Sequence, residues 1–120
     1  MNNEQINTAI AEACGWREVF QGVGPNKHRC LGDRPERDEN GNIVAYYEAC
    51  SVPDYLTDLN AMHGAEKILT ADQFEQYRWI LWDICKQFRV KDWYRCYLSS
   101  TAAQRAEAFL RTLGKWEETQ

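Results

Sequence analysis

Residues 69–88, LTADQFEQYRWILWDICKQF, carry the clearest structural signal in the chain. Thr70 and Gln73 have the spacing of a capping box, in which each side chain accepts a hydrogen bond from the other residue's backbone amide. Leu69 and Phe74 flank the box where a hydrophobic staple would clamp the turn. Beyond it, Phe74, Tyr77, Leu81, Ile84 and Phe88 recur at three- and four-residue steps, with Ile80 beside them. This spacing predicts one long helix ending near Phe88. Trp79 and Trp82 lie partly off the stripe, so they either widen the buried face or stand on a second contact surface.

Toward the C-terminus, residues 93–98 (WYRCYL) are aromatic-rich and predict a strand. Thr101 and Gln104 repeat the capping box, Ala106, Phe109, Leu110 and Leu113 form a last apolar stripe, and Gly114 ends it. Residues 117–120 read as a frayed tail. Before the central helix, Leu56, Leu59, Met62, Ala65 and Leu69 predict another helix, capped by Ser51 or Asp54. Gly64 weakens that helix by about 1 kcal/mol relative to alanine.

At the N-terminus, Asn3 can cap a helix whose face is Ile6, Ala9, Ile10 and Ala13, with Gly15 closing it. Residues 16–20 (WREVF) suit a short strand, broken by Gly22, Gly24 and Pro25, and residues 28–31 suit a second. Residues 32–42 (GDRPERDENGN) are the most polar stretch and read as an exposed loop with a tight turn at Asn40-Gly41. Ile43, Val44, Ala45, Tyr46 and Tyr47 then favour a strand, so that 22–42 is a polar loop or hairpin region. The order is helix, short strands, two helices, strand, helix. It predicts one α+β domain over residues 1–120, with a small sheet and about four helices.

Composition narrows the classes. The chain has 120 residues, 44% of them hydrophobic, enough for one core without disulfides. No apolar run approaches the roughly 20 residues of a membrane span, and no signal-peptide pattern opens the sequence, which predicts a protein that stays where it is made. The five cysteines have wide spacings and no C-x-x-C, so reduced, mostly buried thiols are expected. A net charge of −4 disfavours direct nucleic-acid binding. Arginine outnumbers lysine nine to five, a bias that suits carboxylate or phosphate recognition as well as an ordinary solvated surface.

Three stretches together resemble the phage ABA sandwich domain family: residues 6–16 (INTAIAEACGW), 52–67 (VPDYLTDLNAMHGAEK) and 101–116 (TAAQRAEAFLRTLGKW). The resemblance implies a layered α/β/α sandwich, a phage or prophage origin and a setting in the host cytoplasm. It implies no reaction.

The chemistry-bearing residues form few convincing patterns. Asp54, Asp58 and His63 could hold a metal or do acid–base work, but His63 lies about 140° around a helix from Asp58, and acidic residues favour helix starts. His28 and Cys30 would share one side of a strand yet lack further ligands at metal spacing. A cysteine nucleophile would need one of only two histidines. Arg29, Arg34, Arg37, Arg78, Trp79, Trp82, Trp93 and Arg95 combine guanidinium forks with aromatic faces, as nucleotide pockets and protein hot spots both do. The expectation is a non-enzymatic phage accessory protein, without a cofactor, that binds and inhibits a host protein in counter-defence. The alternatives are a sponge for a small anionic nucleotide signal, a self-associating structural protein closing a homodimer, and a small metal-dependent hydrolase.

Overall fold

The computed structural model describes residues 1–22, 30–86 and 98–118. Within them the chain forms α1 (Asn3–Ala13), β1 (Arg17–Gln21), β2 (Cys30–Arg37), β3 (Ile43–Ser51), α2 (Leu59–Glu66), α3 (Ala71–Cys85) and α4 (Ala102–Thr112). This is the expected α+β fold, with four helices and a small sheet. The strand expected at 93–98 falls outside the described residues except for Leu98, which is exposed in a helical turn.

Local chemistry sets the helix starts. Both expected capping boxes close: Gln73 N donates to Thr70 Oγ1 at 3.2 Å and Gln104 N to Thr101 Oγ1 at 3.1 Å, with both glutamine side chains reaching back. α1 has a third box, capped by Asn2 rather than Asn3 and completed by Gln5. α2 starts later than its apolar spacing predicts. Asp54 instead closes a separate turn, accepting from Leu56 N and Thr57 Oγ1, and Asp58 caps the helix through Ala61 N. That turn carries Tyr55 into the core and leaves Leu59 exposed.

The core belongs to the helices. Ile6, Ile10, Met62, Tyr77, Leu81, Phe109 and Leu110 are buried, with Trp16 and Tyr55 added from connections. α4 packs against α1, α2 and α3, and α1 also contacts β1 and β2, so α1 links the sheet to the helical core. The tail is held as far as residue 118: the Met1 amino group donates to the Glu117 carbonyl oxygen and Arg111 Nη2 to Glu118 Oε1, each within 2.9 Å.

The sheet is an antiparallel meander ordered β1-β2-β3. The polar stretch expected as an exposed loop is largely its central strand, and the loop shrinks to residues 38–42. There Asp38 Oδ1 accepts from the amides of Asn40 and Asn42, and Gly41 takes a φ of +84°. Polar residues can form a central strand here because partners satisfy them. Asp33 pairs with Arg17 at 3.3 Å, the Arg17 guanidinium lies 3.6 Å from the Tyr46 ring centroid, and Arg34 lies over Tyr47. Both outer strands bulge opposite the same part of β2. Arg17 and Phe20 face Asp33 and Leu31, while Tyr47 and Cys50 face Arg34 and Gly32, so each outer strand holds one extra residue there. Glu18 and Ala49 take the positive φ these bulges require. β3 holds a second extra residue at Val44, between the Arg37–Ile43 and Glu36–Ala45 pairs. The β1 bulge presses on Gly32, where an added Cβ would lie 3.0 Å from Val19 Cγ2.

Candidate functional site

The described residues of the Arg and Trp set divide between two places. Arg34 and Arg37 are on the β2–β3 hairpin, whereas Arg78, Trp79 and Trp82 are on α3, which packs along α4. Arg29, Trp93 and Arg95, like His28, lie outside the described residues. Arg37 acts as a clasp: Nη2 donates to the Cys14 carbonyl oxygen at 2.8 Å and Nη1 to that of Gly41 at 2.7 Å. It thereby ties the hairpin tip to the end of α1, where a cation also suits the helix dipole. Arg78 pairs with Glu75 on its own helix. The two tryptophans separate, with Trp82 half-buried against the core and Trp79 63% exposed.

Asp54, Asp58 and His63 do not converge either. Asp54 also accepts from Asn7 Nδ2 at 3.2 Å, while Asn7 Oδ1 accepts from Tyr55 N, so the turn is fastened to α1. His63 turns instead to Glu66, with Nδ1 3.5 Å from Oε2. Among the described residues, no three His, Cys, Asp or Glu side chains are grouped to hold a metal ion. The described cysteines are free thiols, and three of the four are half-buried rather than buried as expected. Burial pushes the Cys14 thiol up to about 11 against the opposing influence of Arg37, so it is protonated near neutral pH.

Sequence reasoning missed a buried ionic cluster. Glu66 Oε1 accepts from Arg105 Nη1 at 2.9 Å and from the Tyr77 hydroxyl at 2.7 Å, joining α2, α3 and α4. Glu66 is 7% exposed and Arg105 3%. A signal was present: Arg105 falls on the stripe of Ala102, Ala106 and Phe109, and Glu66 lies one turn after Met62. Opposite charges on the apolar faces of two helices have to meet, because either one buried alone is strongly destabilising.

The outer strand β3 is the most exposed apolar element. Val44 is 60% exposed, Tyr47 45% and Ile43 37%, and Phe20 adds a further exposed ring on β1. The Glu36 carboxylate raises the pKa of the Tyr47 hydroxyl above the usual tyrosine value. Among the described residues β3 pairs only with β2, so within them its other edge has no strand partner. The fold and this surface define a small α+β domain with a helical core and an attached three-stranded antiparallel sheet. Comparison with protein-family models, curated proteins and solved structures finds no match. No helix among the described residues is long and apolar enough to cross a membrane.

Proposed function

We propose that the protein is a non-enzymatic phage accessory protein that binds and blocks a basic host protein in the host cytoplasm, in counter-defence, through the open edge of β3. The observation that carries this reading is the nine-residue edge strand with Ile43, Val44 and Tyr47 exposed. Natural sheets protect such edges with charge, proline or bulges. Here β3 bulges at Val44 and again between Tyr47 and Cys50, leaving Ala45, Tyr46 and Tyr47 as the regular stretch that can accept a partner strand. Charge selects the partner: Glu36, Asp38, Glu39 and Glu48 are exposed around this strand, in a chain of net charge −4. That field attracts a basic surface and repels an acidic one. The resemblance of residues 6–16, 52–67 and 101–116 to a phage family supports the origin. The division of the described Arg and Trp residues between hairpin and α3 favours this reading over the nucleotide sponge.

The test is affinity capture from infected bacterial lysate, followed by reconstitution from purified components. The expected result is one basic host protein that rebinds the purified wild type and the Trp79→Ala variant but not Val44→Arg. Recovery of no host protein that rebinds, or equal binding by Val44→Arg, overturns the reading.

A further inference from the structure

A cleft of about 700 Å³ opens between the hairpin tip, the end of α1 and α2. Its volume lies in the range of small-molecule sites, roughly 300–1,000 Å³. Four separate segments build it: Cys14 from α1's end, Arg37 and Gly41 from the hairpin, Tyr55 from the β3–α2 turn, and Gly64 and Lys67 from α2 and its cap. None of these contributions is legible from local sequence, and none belongs to the β3 edge.

The cleft's chemistry is one-sided. The chain has 18 acidic residues against 14 basic ones, yet the described lining holds two cations and no carboxylate. Arg37 is fixed there by its two carbonyl hydrogen bonds, so its charge is preorganised in the wall. Lys67 is exposed. Cys14 and Tyr55 line the same wall beside them, and burial raises the pKa of both. The rest of the lining is small or apolar, including Pro53, Ala61 and Ile68.

Gly64 supplies an independent observation. A Cβ built there meets no atom within 4 Å, so no packing contact requires glycine inside this helix. Its φ is not in the left-handed region either, so alanine would suit the backbone and raise helix propensity by about 1 kcal/mol. Keeping glycine at this position leaves the cleft floor bare.

We infer that this cleft is a binding site for a small organic anion, its carboxylate or phosphate group held by Arg37 and Lys67 and its body laid over Gly64. A bare inorganic ion is far smaller than the space, and the apolar lining suits carbon rather than water.

The test is an amide NMR titration of the full chain with inorganic phosphate, citrate and adenosine monophosphate. At least one organic probe should shift the Cys14, Gly41, Gly64 and Lys67 amides saturably, with a Kd of about 1 mM or tighter. Citrate or the nucleotide as the stronger binder distinguishes the carboxylate source from the phosphate source. Lys67→Glu should weaken binding by about tenfold or more, the loss of one charge-assisted hydrogen bond. Gly64→Leu should fold and lose the site, because its side chain enters the open space above the helix. The absence of saturable shifts with all three probes overturns the inference. So does inorganic phosphate binding as tightly as both organic probes, or unchanged affinity in Lys67→Glu and Gly64→Leu. Val44→Arg leaves this binding intact, which separates the cleft from the β3 edge.

Discussion

The helical half and the hairpin satisfy their polar groups in opposite ways. In the helices, polar backbone is closed by local bonds and capping boxes, apolar stripes are buried, and the buried Glu66–Arg105 cluster is enclosed by three elements. In the sheet, the buried strand residues described are Gly32 and Asp33, and apolar side chains of β3 face outward. Polar strand residues are instead matched across the sheet, as with Arg17 and Asp33, or clasped to α1, as with Arg37. Stability therefore resides in the helices, while the hairpin is free to present side chains.

The largest expected effect lies in the helical cluster. Arg105→Met should cost about 3–5 kcal/mol in denaturant unfolding, because it strands the Glu66 carboxylate in the core. Adding Glu66→Leu should restore much of that loss. A single-variant cost under about 1 kcal/mol would place the pair with exposed ion pairs and dissolve the contrast. Next is Thr101→Ala, expected to cost about 1 kcal/mol by opening the box that starts α4. Hydrogen exchange should show the loss at the first turn of α4. The smallest effect is Val44→Arg, expected to change unfolding stability by about 0.5 kcal/mol or less, since its side chain already faces solvent. A larger loss would show that β3 carries part of the core.

How much of this was legible in the sequence depended on distance along the chain. Thr70 with Gln73 and Thr101 with Gln104 lie three residues apart, and their boxes were read directly. The apolar steps of α3 and α4 are equally legible, apart from Cys85 and Ala108 on their buried faces, while Phe88 and the predicted end of α3 near it lie outside the described residues. Residues 32–37 of β2 read as a loop, although 28–31 read as a strand, because their propensity is poor and propensity does not register cross-strand pairing. For the Arg and Trp set, residue type suggested a shared pocket, but type carries no information on what each side chain already holds. Arg37 is engaged with two carbonyls, and Trp79 and Trp82 are divided by the helix surface.

The sequence by itself determined where α3 and α4 begin, most of the faces they bury and where the hairpin turns, because those signals act over at most a few residues. Only the tertiary structure decided that Glu66 meets Arg105 across 39 residues, that Arg37 reaches Cys14 across 23, and that four segments enclose one cationic cleft. Hydrogen-bond geometry within a helical turn follows from backbone stereochemistry. The pairing of distant charges follows from how the helices and the hairpin pack, and no local rule contains it.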